Sequence, residues 1–242
     1  MITLHVFGPG MGLPDPSPFC LKAMTLLKLS GLTFTTDTKG LSKAPKGKQP
    51  YLVEDGKVIA DSTFIRWHLE KAHGVDFDKG LTPAQKATGW AVEKMLEDHA
   101  YWGGVDARWL VEENFRRGSS RFFDGVPSLL RPLVFAMVRR RVRARIKGQG
   151  MGLHSRAEIE ALCIPDLLAV SDILGDKPFL FGAEPCGADA TAWAFVAAML
   201  CPVVTSPIRD AAEKRANLLA YRDRGLARWF PEFKAKPAAK AA

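Results

Sequence analysis

Apolar residues along this chain follow two different rhythms. In residues 2–7 (ITLHVF) they alternate with polar ones, the period of a half-buried strand, and Gly8-Pro9-Gly10 ends the run. After a glycine- and proline-rich loop, Ser17 and Pro18 mark a helix start, a capping hydroxyl followed by proline at the first helical position. Phe19, Ala23, Leu26, Leu27 and Ser30 fall on one stripe at helical spacing, and Gly31 stands just past the end. Residues 32–36 form a second, β-branched strand, and a lysine-rich loop covers 39–48. Two short β-prone runs, 51–53 and 58–59, flank Glu54-Asp55-Gly56-Lys57, whose Asp-Gly pair is a hairpin signal. Pro50 stands at the first position of the first run, where a sheet tolerates proline. Asp61-Ser62 then opens the amphipathic helix TFIRWHLEKAHG, with Ser62 in the capping position. The order through about residue 75 is β-α-β followed by β-β-α, a parallel crossover before an antiparallel hairpin.

From Thr82 onward the strand period disappears. Thr82-Pro83-Ala84-Gln85 is a capping box opening a helix to about residue 112. A second helix is expected over 127–147, closed by Gly148, with Leu130, Val134, Val138, Val142 and Ile146 as an apolar row. Ser155 and Glu158 form another capping box, for a helix to Leu174 that Pro165 should kink or divide. Residues 189–200 read as a nearly all-apolar, central helix, and 211–229 as one or two more. The low-complexity end, KAKPAAKAA, is expected to be disordered.

Composition narrows the class. The 242 residues are 47% hydrophobic and 25% charged, the balance of a soluble globular protein of one large or two modest domains. No Cys-x-x-Cys pair or metal-binding spacing occurs among the four cysteines, and no secretory leader pattern is present, so a reducing cytoplasm is the expected home. The formal charge of +8 admits acidic small molecules, anionic membranes or nucleic acid as partners. Much of it comes from Arg139, Arg140, Arg141, Arg143, Arg145 and Lys147. The apolar row on the same helix makes these one solvated side of a packed element. An anionic membrane surface is the second reading of that side, and nucleic-acid recognition the third.

Three stretches, SPFCLKA, KQPYLVEDGKVIADS and FGAEPCGADATAW, together resemble the glutathione transferase superfamily over nearly the whole chain. The opening GLPDPSPFCLKAMTLLKLSGLTF and the stretch RARIKGQGMGLHSRAEIEAL resemble its metaxin and failed-axon-connections branch. The resemblance implies an α/β thioredoxin-like N-terminal domain (1–77), an all-α C-terminal domain (78–233) and a tail (234–242). It implies glutathione as substrate, a small electrophile as acceptor, and a homodimer. No metal is implied. In the family the last motif is an N-capping box with a buried aspartate. Here Cys186 replaces the usual Ser or Thr and Asp189 is present.

The same resemblance assigns roles. Ser17, at the helix cap beside unpaired N–H groups, would hold the glutathione thiolate. SPFC resembles the CPFC of glutaredoxins and cysteine-type transferases with the first cysteine replaced, which leaves Cys20 as a rival nucleophile or a buried structural thiol. Phe7 lacks the hydroxyl of tyrosine-type transferases, which points to the serine or cysteine types. Gln49, where valine is usual, and Pro50, expected cis, would offer backbone contacts. Asp61 and Ser62 would receive the γ-glutamyl end, and Lys46 or Lys48 the glycine carboxylate. Trp90, His99, Tyr101, Trp102 and Trp109 are candidates for the electrophile pocket, with a packing role open for each. A non-catalytic scaffold or membrane-surface protein is the alternative function, and an intact glutathione pocket is what distinguishes the two.

Overall fold

A computed structural model describes residues 1–233, so the expected disordered tail lies outside the described residues. A four-stranded sheet of order β2-β1-β3-β4 is built from β1 (Ile2–His5), β2 (Phe34–Asp37), β3 (Tyr51–Glu54) and β4 (Lys57–Ala60). β1 runs parallel to β2 and antiparallel to β3, with His5 opposite Tyr51. α1 (Pro18–Ser30) makes the crossover and α2 (Ser62–His73) follows the hairpin. Alternation decides the two faces. Ile2, Leu4 and Val6 are buried against Leu26 and Leu27 of α1 and Ile65 and Leu69 of α2. On the other face His5 stacks on Tyr51 at 4.1 Å, and the tyrosine hydroxyl donates to the Gly40 carbonyl at 2.9 Å. A Cβ on Gly40 would sit 2.2 Å from His5 Nδ1, so the lysine-rich loop closes over this face because residue 40 has no side chain.

The helices differ from expectation in several places. α2 is capped by Asp61, which accepts from the Thr63 N–H at 2.9 Å. Ser62 is the first helical residue rather than the cap. The long helix expected to residue 112 ends earlier and is not uniform: α3 (Pro83–Lys94) passes into a π-helical stretch (Met95–Ala100) and then α4 (Tyr101–Trp109). A separate short helix, α5 (Glu112–Arg117), follows. α6 (Arg131–Gln149) starts later than expected and runs through Gly148 to a cap at Gly150, whose φ of 111° favours glycine. Of its apolar row only Ile146 is buried. Val134, Val138 and Val142 are half-buried and Leu130 is exposed.

α7 (Arg156–Leu174) is not divided at Pro165. α8 (Gly187–Met199) is nearly all buried, as its composition demands. Cys186 serves as its cap residue: its N–H and its Sγ each donate to Asp189, at 2.9 and 3.2 Å. α9 (Pro207–Glu213) and α10 (Ala216–Trp229) are the last α-helices among the described residues.

The sheet unit and the helical region share a core and a charge network. α1 packs on α8, and Ala190 of α8 enters the apolar core of the sheet unit. Beside this seam Lys22, wholly buried, donates to Glu93 at 2.8 Å and Glu97 at 2.6 Å. Glu93 also receives Arg66 of α2 at 2.7 Å and the Thr191 hydroxyl at 2.9 Å. The Arg66 guanidinium reaches Asp78 at 2.6 Å and lies over Gly187, where a Cβ would meet it at 2.5 Å. Burial alone would drive the Lys22 proton off, but Glu93 and Glu97 outweigh it and hold the lysine above its ordinary range.

Candidate functional site

The β1 end and the α1 start are joined by one buried carboxylate. Asp15 accepts from the N–H groups of Phe7 and Gly8, each at 2.9 Å, and from Ser17 at 2.8 Å. Burial pushes its carboxyl up to about 7 in spite of those three donors. Ser17 is thereby set at the cap of α1, half-buried, its Oγ accepting from the Cys20 N–H at 3.4 Å. The oxygen is used as an acceptor, so the hydroxyl proton remains available to a ligand. The first turn of α1 holds no acidic side chain, which leaves the positive end of the helix dipole partly unanswered. Cys20 is fully buried, and its thiol is pushed well above the ordinary value by burial and by the nearby Asp15. A protonated thiol shielded from water is a poor nucleophile.

Continuing the β1–β3 register by two residues sets Phe7 opposite Gln49. The Gln49–Pro50 peptide bond is cis. The Asp61 N–H approaches the Pro50 carbonyl at 3.5 Å, and Asp61 has φ of 92°, a conformation an L-residue keeps only when its surroundings enforce it. Ser17, Gln49, Pro50, Asp61 and Ser62 therefore gather at one end of the sheet. The Gln49 side-chain amide is buried there with no hydrogen-bond partner among the described residues, where the usual valine would need none. Lys48 is exposed, and Lys46 lies over the Phe64 ring at 4.9 Å.

The aromatic candidates separate. Trp109 stacks on Phe122, with ring centroids 5.9 Å apart, and Phe122 meets Phe7 edge-on at 5.7 Å, forming an apolar wall beside the β1 end. Tyr101 packs on Phe19 of α1 and on Trp102. His99 turns to α7 instead, its Nδ1 2.6 Å from Asp166. Trp90 is half-exposed on α3 beneath the Lys94 ammonium. Asp15 and Phe122 escaped sequence reasoning. The PDPSP spacing around Asp15 reads only as loop, and Phe122 lies in a 3₁₀ turn without periodicity.

The chain is 33% identical over 199 residues to the isoprene-epoxide glutathione S-transferase of Rhodococcus sp. (strain AD45), spanning 79% of this chain and 83% of that protein. It belongs to the glutathione S-transferase family. The family's N-terminal domain matches residues 18–114, beginning one residue after Ser17, and its C-terminal domain matches 163–225. Failed axon connections of Drosophila melanogaster is 31% identical over 96% of this chain, which spans 59% of that protein's length. Metaxin-3 of Xenopus laevis is 24% identical over 81% of the chain and 66% of its own length. Among solved structures of the same fold, the β-etherase LigF of Sphingobium sp. strain SYK-6 superposes with a TM-score of 0.65 at 21% identity, covering 96% of this chain and 98% of LigF. A glutathione transferase family member from Pseudomonas fluorescens, crystallised with two glutathione molecules bound, superposes at 0.59 with 13% identity, over 96% and 92% of the two chains. Among the described residues no helix is long and apolar enough to cross a membrane.

Proposed function

We propose that this transferase-family chain binds reduced glutathione at the end of the sheet and adds its thiolate to a small electrophile. The observation that carries the reading is the convergence of the Ser17 cap, the cis Gln49–Pro50 peptide and the Asp61 cap of α2. The Pro50 backbone would hold the cysteine part of the tripeptide, Asp61 and Ser62 the γ-glutamyl end, and exposed Lys48 the glycine carboxylate. Ser17 would donate its free proton to the sulfur. A hydrogen bond to a charged group contributes about 1.5–3 kcal/mol and the helix dipole about 0.3–1, enough to lower a thiol pKa by roughly 1.5–3. Phe7, Trp109 and Phe122 would form the wall against which an apolar electrophile rests. The Rhodococcus relative, by its name an isoprene-epoxide transferase, favours an epoxide or similar small electrophile as the first class to try.

The test is calorimetry with reduced glutathione, followed by turnover of Ser17→Ala. Saturable binding in the millimolar range or tighter is expected. Turnover should fall about 10- to 100-fold with little change in glutathione affinity, as the loss of roughly 1.4–2.7 kcal/mol of thiolate stabilisation requires. Cys20→Ala should lose stability and keep the chemistry. An active Ser17→Ala beside a dead Cys20→Ala would overturn the mechanism, and no glutathione binding at all would overturn the function.

One observation favours a second reading, binding to an anionic membrane surface. On and beside α6, Leu129, Leu133 and Met137 are exposed, and the cations of Arg140, Arg141, Arg143 and Arg145 have no ion-pair partner among the described residues. Co-sedimentation with anionic vesicles that weakens steeply with salt would support it.

A further inference from the structure

Away from the sheet end that carries Ser17 and Pro50, two imidazoles and a carboxylate from separate elements point at one another. Glu54 is the last residue of β3, while His68 and His73 lie on the second half of α2. His68 Nε2 is 2.6 Å from Glu54 Oε2, and His73 Nε2 is 3.0 Å from Oε1 and 3.1 Å from Oε2. The two rings are 6.1 Å apart and nearly perpendicular, so their nitrogens approach the carboxylate from different directions. The three side chains are recessed without being sealed, between 14% and 24% exposed. Lys57, opposite Glu54 across the hairpin, makes no ion pair with it.

We propose that Glu54, His68 and His73 form a binding site for a divalent transition ion, with zinc the best match. Two imidazole nitrogens and one carboxylate are a ligand set that zinc takes with a fourth position open. Zinc bonds of about 2.0–2.2 Å at tetrahedral angles set donor atoms about 3.3 Å apart, and the three ligand atoms here already lie within 4.8 Å of one another, so local side-chain adjustment brings them to that spacing. On binding, each Nε2 exchanges its proton for the metal, either by loss of a proton from the imidazolium or by transfer of the hydrogen to Nδ1 in the neutral ring. The ion would tie the end of β3 to the last turn of α2. Its ligands would stand roughly 13 Å along β3 from Pro50 and roughly 9–16 Å along α2 from Ser62, away from the proposed glutathione contacts. Its effect would be on the fold of the sheet unit, and the site is independent of the proposed transfer chemistry.

A second cluster of metal-ligand residues among the described residues, His99, Cys163 and Asp166, supplies the contrast. There the thiol is fully buried, packed so closely that a Cβ on Gly103 would meet its sulfur at 2.7 Å, and burial pushes it up to about 12. An ion would have to force a sealed thiol to ionise.

The full chain, stripped with chelator and free of glutathione, is titrated with zinc by calorimetry and with cobalt(II) by absorption. One equivalent should bind with Kd below about 10 µM, and the melting temperature should rise by several degrees. The cobalt spectrum should show ligand-field bands without a thiolate charge-transfer band. His73→Gln, at a helix end, should weaken zinc at least 10-fold without unfolding the chain, and Cys163→Ser should not. Absence of saturable binding overturns the proposal. So does binding that survives His73→Gln, or a thiolate band that disappears with Cys163→Ser.

Discussion

Lys22 and Arg66 on one side, and Arg140, Arg141, Arg143 and Arg145 on the other, are basic residues put to opposite uses. The first pair is folded into the seam between the sheet unit and the helical region, where each cation meets two or more carboxylates. The second group stands on α6 in solvent with no carboxylate partner among the described residues. A charge run in sequence therefore says little about energetics, while a lone lysine in the apolar stretch LKAMTLL carries a domain contact. Taking a charge from water is expensive, so a buried cation persists only with partners in place, and removing one partner exposes the full cost. Arg139 blurs the division. Although adjacent to Arg140, it donates to the carbonyls of Trp109 and Leu110 at the end of α4 and pairs with Glu112. The expectation that 139–141 form one solvated run is corrected at its first residue.

The strongest way to break the comparison is at Lys22. Lys22→Met should cost about 3–5 kcal/mol in urea unfolding, because Glu93 and Glu97 lose their shared cation. Adding Glu93→Gln and Glu97→Gln to the same chain should restore part of that loss. A Lys22→Met chain as stable as the parent would show that the seam is held by apolar packing alone.

Asp15 is a buried acid of another kind, with N–H donors but no cation, and it makes the pH dependence readable. Its folded pKa of about 7 lies above the ordinary 3.8, so the folded chain keeps a proton that the unfolded chain releases. Stability from this group is present at low pH and declines as pH rises from about 4 to 7, by roughly 4 kcal/mol in full. Glu93 has the opposite sign. Burial raises it, but Lys22 and Arg66 more than compensate and hold it below the usual range, so its contribution is lost only as pH falls into the acid region. Urea midpoints at pH 5 and 7.5 should show a decline for the parent and a flatter profile for Asp15→Asn. Equal pH profiles for the two would remove Asp15 as the titrating group. Asp15→Ala, which strips three N–H donors of their acceptor, should destabilise at both pH values by about 1–3 kcal/mol or more.

The smallest effects sharpen the exposed side. Arg139→Ala should cost about 1–2 kcal/mol through the freed α4 carbonyls. The triple change of Arg140, Arg141 and Arg143 to glutamine should stay within about 0.5 kcal/mol and leave glutathione turnover unaltered. A triple variant as unstable as Arg139→Ala would mean that α6 is anchored along its whole length.

Local chemistry alone determined much of this protein. Ser17-Pro18, Thr82 with Gln85 and Ser155 with Glu158 begin helices where their hydrogen-bonding side chains require, and Asp55-Gly56 turns the hairpin. Alternation and helical spacing then separate a β-α-β, β-β-α unit from an all-helical remainder, because a buried face must recur with the period of its backbone. The motifs SPFCLKA and KQPYLVEDGKVIADS also carry the resemblance by which Ser17 and Pro50 become candidate glutathione contacts. What only the tertiary structure decided involves partners distant in sequence. Asp61 rather than Ser62 caps α2, because its carboxylate is the group that meets the Thr63 N–H. His99 leaves the aromatic group once α7 brings Asp166 to it. Phe122, the Lys22–Glu93–Arg66 network and the Glu54–His68–His73 cluster acquire meaning only when strands and helices are packed together, and Asp15 only when its loop folds back on the end of β1. Hydrogen bonds and ion pairs act over a few ångströms of space, and the fold alone decides which residues lie that close.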